Sequence, residues 1–273
     1  MTFPWLKGHG TQNDFVLLPD HDGSIHGELD ADFVTRLCHR RKGIGADGVI
    51  RVIGSAALGE RSAGEWFMDY RNADGSVSEM CGNGIRVFAR HLIDEGLVPD
   101  EPMLIGTRDG DKHVTPLPDG EVSVDMGIGE LRGTSKIAAA GHVWEAQDVR
   151  TGNPHAVVFV DRLDEAGPLL QAPEHDPETY PHGVNVEFVR RLGPAHVEMR
   201  VHERGSGETL SCGTGACAVG LAAARRDGVD QPATYRVDVP GGTLHVTWRA
   251  DDHLILTGPA EIVARGDLEW IGR

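Results

Sequence analysis

Two cysteines stand at matching points of two similar strings. The first reads Asn72-Ala-Asp-Gly-Ser-Val-Ser-Glu-Met-Cys81-Gly-Asn-Gly84 and runs into Ile85, Phe88, Ala89, Leu92 and Ile93, which recur at helical spacing. The second reads Glu203-Arg-Gly-Ser-Gly-Glu-Thr-Leu-Ser-Cys212-Gly-Thr-Gly215 and runs into the apolar stretch Ala216–Ala224. The first turn of a helix leaves backbone N–H groups without partners, and with the helix dipole these form a cradle for an anion. Glycines at 82, 84, 213 and 215 let a ligand approach the backbone. Asn83 and Thr214 are good N-cap types and are expected to finish each turn. A thiol in that field is expected to titrate one or more units below its free value of about 8.5. Packing explains a small residue at such a joint once. It does not explain the same reactive residue twice.

Two thiols facing one carboxylate suit a particular reaction. Inverting an α-carbon requires one group to remove a proton from one face while another returns a proton to the opposite face. The cradle would hold the α-carboxylate and stabilise charge moving into it. The other cysteines carry no such context. Cys38 follows the apolar-periodic Phe33, Val34 and Leu37, and Cys217 lies inside an alanine-rich run, so both read as small buried hydrophobes.

The strings lie 131 positions apart (81 to 212), close to half of the 273 residues, so an internal duplication is the natural reading. Short strand-like runs surround them: 15–18, 48–53, 65–70, 122–125, 156–160, 184–189, 196–201, 235–239, 243–248 and 254–258. Asp-Gly at 74–75 and 119–120 and Gly-Gly at 241–242 separate many of them, as hairpins require. The expected fold is α+β, with two pseudo-symmetric halves, each a mainly antiparallel mixed sheet wrapped around a central helix. Gly96 and Pro99 should end the first helix; Arg225, Arg226 and Gly228 should end the second, which is apolar nearly all round and so should be surrounded by protein. Pro116, Pro118 and Gly120 place the boundary near residues 118–130. The halves are then 1–122 and 123–261, with 262–273 returning to the first.

Composition narrows the partners. Lys plus Arg is 26 against 42 Asp plus Glu, a net charge of −16, which disfavours nucleic acid and anionic membrane surfaces. No run approaches the ~20 apolar residues of a membrane span, and the N-terminal residues lack a secretory h-region, so a cytoplasmic protein is expected. Four cysteines without C-x-x-C, and histidines without H-E-x-x-H, give no metal signature. None of Lys7, Lys42, Lys112 or Lys136 sits in a Schiff-base context, so no cofactor is expected. Gly43-x-Gly-x-x-Gly48 matches a dinucleotide fingerprint as a string, but Leu37–Lys42 before it is no strand, and the match is set aside.

The blocks Gly10-Thr-Gln-Asn13-Asp-Phe15, Gly43–Gly48, Asn72–Gly75, Met80–Gly84, Thr151–His155, Gly183–Glu187, Glu203–Gly205 and Ser211–Ala216, in this order, make the chain resemble the diaminopimelate epimerase family. The resemblance implies a reversible conversion of LL-2,6-diaminopimelate to the meso form, without cofactor, in lysine and peptidoglycan precursor synthesis. Cys81 would be the thiolate base on the LL substrate and Cys212 the acid on the other face. Gly82, Asn83, Gly213 and Thr214 would bind the reacting carboxylate. Asn13, Asn72, Asn153, Asn185, Glu203 and Arg204 would meet the distal end, and His155 and Glu203 would support catalysis beside the cysteines. A homodimer is expected from the family. Two departures stand out. Some members carry a substrate-contacting glutamine where this chain has Gly48, and a C-terminal tyrosine of some members has no match near Ala264.

Without the resemblance, each asparagine reads equally well as a turn residue, His155 as a structural histidine and Glu203–Arg204 as a surface pair. Two other functions fit the same pattern: a proline racemase-like epimerase of another amino acid, and a non-catalytic amino-acid-binding protein. Neither a panel of substrates nor α-carbon exchange would give the same answer for all three.

Overall fold

A computed structural model describes residues 1–59 and 62–270. They form two compact units, Met1–Val124 with the chain from Pro259 onward, and Asp125–Gly258. Residues 271–273, the end of the segment expected to return to the first half, lie outside the described residues. No helix among the described residues is long and apolar enough to cross a membrane.

The first unit contains strands β1 (Thr2–Gly10), β2 (Asn13–Pro19), β3 (Gly48–Gly54), β4 (Trp66–Asn72), β5 (Met103–Gly106), β6 (Lys112–Pro116) and β7 (Val122–Ile128), the last of which carries the chain into the second unit. Its helices are α1 (Ala31–Cys38), α2 (Ser55–Leu58) and α3 (Gly82–Asp94). Pairings are antiparallel for β1–β2, β3–β4, β5–β6 and β6–β7, and parallel for β2–β3 and β4–β5.

Residues two apart on a strand share a face, so the sheet sorts its side chains. Val16, Leu18 and Val49 turn to one face and pack with Val34, Leu37 and Cys38 of α1. Asn13, Phe15, Gly48, Ile50, Tyr70 and Asn72 turn to the other. There Ile50 reaches the first turn of α3, its Cδ1 only 3.2 Å from where a Cβ on Gly84 would stand. Helix α3 is buried continuously from Gly82 to Ala89.

The second unit holds β8 (Glu130–Ala139), β9 (His142–Thr151), β10 (Asn153–Phe159), β11 (Glu174–His175), β12 (Asn185–Gly193), β13 (His196–Glu203), β14 (Gly207–Thr209), β15 (Ala233–Val239), β16 (Gly242–Trp248) and β17 (His253–Gly258) around α4 (Gly213–Arg226). β10–β12 and β13–β15 are parallel; the other pairings within this unit among the described residues, such as β8–β9 and β12–β13, are antiparallel. The α4-facing side of β10, β12 and β13 carries Val157, Val189, Val197, Met199 and Val201 under the body of the helix. Under its N-terminus the same face turns polar, with His155 opposite Asn185, then Glu187 and Glu203. The final strand, β18 (Glu261–Glu269), pairs antiparallel with β1 and belongs to the first unit.

The expected α+β class, with mainly antiparallel mixed sheets and one buried helix in each half, is what the chain forms. Strand β1 was not among the expected runs, and the reason is physical. Two of its inward positions are glycines: a Cβ on Gly8 would lie 2.6 Å from Val87 of α3. The strand therefore lacks the apolar alternation that normally signals burial. The long β8–β9 hairpin was missed because polar residues and a mix of exposed, half-buried and buried positions blur its alternation.

Candidate active site

In both units the cysteine itself caps the helix. Cys81 precedes α3 at φ −140°, ψ 115°, and its Sγ accepts from the Gly84 N–H at 3.4 Å. Cys212 precedes α4 at φ −126°, ψ 114°, and its Sγ accepts from the Gly215 N–H at 3.4 Å. This corrects the expectation that Asn83 and Thr214 would be the caps. Both lie inside the first helical turn, because the extended residue that starts each helix is the cysteine two positions earlier. A sulfur that receives an N–H from the helix start has charge-stabilising contact built in.

The first unit surrounds Cys81 with amides. The Cys81 thiol points to Asn13 Oδ1 at 3.9 Å, and Asn83 Nδ2 donates to the same oxygen at 3.1 Å. Asn13 Nδ2 in turn donates to Asp47 at 2.8 Å. Asn13 is delivered by a two-residue hairpin between β1 and β2, where Thr11 and Gln12 both take positive φ, 48° and 61°. Neither residue type favours that region, so the turn carries backbone strain held by its surroundings. Thr11 is buried and its hydroxyl lies 3.5 Å from Asn83 Oδ1. Asp14, next in the chain, would be raised by burial, but hydrogen bonds and charges from Arg40 and Lys7 outweigh this and hold its carboxyl well below the ordinary range. Asn72 closes its own turn, with Nδ2 donating to Ser76 Oγ at 3.0 Å.

Sequence reasoning missed Arg86. It is fully buried in α3. Its Nη1 donates to Gly82 O at 3.0 Å, its Nη2 to Asn83 Oδ1 at 3.1 Å, and its Nε to Pro259 O at 3.3 Å. The guanidinium thus orients two of the expected cradle residues. The only signal was an arginine one turn inside a buried helix, which periodicity assigns to the solvent face. The space at Gly48 is also explained. A Cβ there would meet the Tyr70 ring at 2.5 Å and the Arg71 carbonyl at 2.6 Å, so Tyr70 fills the volume and no longer side chain fits.

The second unit surrounds Cys212 with acids. His155 Nδ1 lies 2.7 Å from Glu187 Oε1, both residues fully buried. Glu203 accepts a hydrogen bond from the Thr209 hydroxyl and one from the Cys212 thiol. Burial raises the Glu203 carboxyl, more than those hydrogen bonds lower it. Burial also raises the Cys212 thiol well above its ordinary value, and the negative charges of Glu203 and Glu187 add to it; the Thr214 hydroxyl and Gly215 N–H offset only part. The expectation of a lowered pKa is therefore overturned at Cys212: the helix-start field is outweighed by desolvation and two carboxylates. Thr214 Oγ1 lies 3.6 Å from Sγ, and its carbonyl accepts from Thr151. Asn185 Oδ1 accepts from the Arg204 N–H at 2.9 Å, fixing the turn that carries Arg204, whose Nη1 donates to His182 O at 3.1 Å. Asn153 sits at the start of β10, two residues before His155. Cys38 and Cys217 are buried in the two cores, as expected.

The two helix starts differ in one testable way. A methyl group on Gly84 would be crowded by the flexible end of Ile50, at 3.2 Å, and meet Cys81 at ordinary contact distance, whereas one on Gly215 would stand 2.7 Å from the buried Glu187 carboxylate. Gly84→Ala is expected to be near neutral, because the helix propensity of alanine, worth about 1 kcal/mol, offsets the crowding against Ile50. Gly215→Ala is expected to cost about 1–3 kcal/mol through overpacking. Urea midpoints of the two variants check this; equal shifts would contradict the asymmetry.

Comparison with known proteins agrees with this architecture. The family model described as diaminopimelate epimerase matches residues 5–131 and 148–263. A diaminopimelate epimerase of Streptomyces coelicolor is 53% identical, covering 98% of this chain and 96% of that protein. One from Thermobifida fusca is 48% identical, covering 97% of each. Among solved structures, a phenazine biosynthesis protein of the PhzF family from Bacillus anthracis shares the fold at TM-score 0.73 and 16% identity, covering 99% of this chain and all of that one. A hydroxyproline epimerase from Agrobacterium vitis does so at TM-score 0.69 and 18% identity, covering 98% and 92%. With the family model spanning most of its length and close relatives aligned nearly end to end, the chain belongs to the diaminopimelate epimerase family.

Proposed function

We propose that this protein interconverts LL- and meso-2,6-diaminopimelate by a cofactor-independent two-base mechanism, in the supply of lysine and peptidoglycan precursors. The observation that carries the reading is the repeated one. In each unit a cysteine Sγ caps a buried helix and accepts the N–H three residues on, at 3.4 Å. The curated relatives bear the name of this activity.

In the LL direction the Cys81 thiolate takes the Cα proton and the electron pair moves toward the α-carboxylate. The backbone N–H groups at Gly82, Asn83, Gly213 and Thr214 stabilise that charge. The Cys212 thiol then delivers its proton to the opposite face, leaving Cys212 as thiolate and Cys81 as thiol. A Cys212 thiol raised by burial and by two carboxylates is protonated at neutral pH, as an acid in this direction must be. Glu203, hydrogen-bonded to that thiol and itself raised, stands where it can share the proton when the direction reverses. Asn13, Asn72, Asn153, Asn185 and Arg204 supply amide and guanidinium groups for a substrate with charged groups at both ends. Such a site would reject amino acids lacking the second head group, because its polar groups would be left unpaired.

The test is solvent exchange. With LL-diaminopimelate in deuterium oxide, the meso product is expected to carry deuterium at the inverted carbon, while the remaining substrate gains little at early times. Exchange of free proline but not of diaminopimelate would assign the fold to another amino acid. Absence of exchange at either would make the protein a binder.

A further inference from the structure

One carboxylate beneath the first turn of α4 enters the chemistry above only through its charge on Cys212. Glu187 is fully buried on β12. An ionised group so placed is costly unless it is held by a partner, and its partner is a single side chain: Oε1 lies 2.7 Å from His155 Nδ1. Glu187 Oε2 and His155 Nε2 are both buried, and neither has a hydrogen-bond partner among the described residues. Gly215 is what lets the carboxylate reach the helix, since a Cβ there would lie 2.7 Å from Oε1. The positive end of the α4 dipole favours a negative charge at that spot.

An ionised carboxylate only accepts, so the imidazole nitrogen against it must carry a proton. The partnerless Nε2 is then the nitrogen whose proton can come and go. We infer that Glu187 is the positioning residue for His155: it holds the proton on Nδ1 and aims the ring so that Nε2 alone exchanges protons with the reacting groups. The inference deepens the epimerase reading and rests on it. The residue acts through His155 and touches no reacting atom. The same logic makes the glycine of the Cys-Gly-Thr-Gly215 string a partner of Glu187, joining two blocks 28 positions apart (187 to 215).

The experiment uses the 273-residue chain as wild type, Glu187→Gln and Glu187→Asp, with His155→Gln to assign the imidazole signals. Long-range proton–nitrogen NMR spectra without substrate report which ring nitrogen bears the proton. In the wild type, the proton is expected on Nδ1 of His155, against the Glu187 carboxylate. In Glu187→Gln a bare Nδ1 should appear, because the amide can donate to it. Kinetically, kcat of Glu187→Gln is expected to fall about 10- to 100-fold, the scale of lost outer-shell partners, with KM little changed, and Glu187→Asp to recover part of the loss. A bare Nδ1 in the wild type, or unchanged kcat in Glu187→Gln, would overturn the inference. Should Glu187→Gln fail to fold, the wild-type spectra decide alone. Should the wild type not turn over diaminopimelate, the proposed function falls, and the spectra still say whether Glu187 holds the Nδ1 proton.

Discussion

Cys81→Ala and Cys212→Ala are each expected to lower turnover by about a thousandfold or more, since each removes one of the two proton-transfer groups and such groups contribute roughly 10²–10⁴ each. The effect is chemical rather than structural. Alanine at either site removes a weak sulfur cap and little volume, so unfolding midpoints should stay close to wild type. Cys38→Ala and Cys217→Ala offer the opposite pattern. Both thiols are buried in packed cores, and burial pushes the Cys38 thiol up to about 12, so it carries no reactive thiolate. Their alanine variants should lose about 1 kcal/mol or so of stability and keep turnover within a few fold. Steady-state rates and urea midpoints on the same four proteins separate the two patterns. Equal tolerance of all four substitutions would end the two-thiol mechanism.

Arg86→Leu is expected to produce the largest loss of stability among the site variants. The guanidinium is fully buried and serves the Gly82 carbonyl, the Pro259 carbonyl and the Asn83 side chain together. Removing it strips several buried oxygens of a donor, each costing about 1–3 kcal/mol. The sum places Arg86→Leu at about 3 kcal/mol or more of lost unfolding free energy, with kcat/KM falling as the Gly82–Asn83 turn loosens. Arg86→Lys should recover only part, because an ammonium cannot span partners set around a planar fork. Chemical denaturation gives the first number and initial rates the second. A leucine variant within 1 kcal/mol of wild type would show that those oxygens find other donors.

The parts of the site that were legible in the amino-acid order are those whose signal is local. Gly-x-Gly after a cysteine announces a tight entry to a helix, and the spacing of Ile85, Phe88, Ala89 and Leu92 announces which side of α3 is buried. The apolar surround of α4 follows from Ala216–Ala224 in the same way. Repetition of the string made its chemistry visible, since a packing accident has no reason to recur at the same point of a second half. Misreadings came where a residue's role depends on something distant. Arg86 is polar and falls off the apolar stripe, so only the converging Gly82, Asn83, Thr11 and Pro259 oxygens reveal it as an interior residue. Thr11 and Gln12 are not turn-forming types, and their left-handed backbone exists because Thr11 is locked beneath Asn83.

The clearest division is at the two sulfurs. Their residue type, their place before a helix and their pairing by duplication are all written in contiguous sequence, because helix entry depends on neighbours along the chain. Their proton affinities are not. At Cys212 the local field of the helix start argued for an easily ionised thiol, and the folded chain reversed it by bringing Glu203 and Glu187 from other strands into a buried space. Charge and solvent exclusion act through space, so which carboxylates surround a thiol, and which side of it is dry, is settled only when strands far apart in the chain lie side by side.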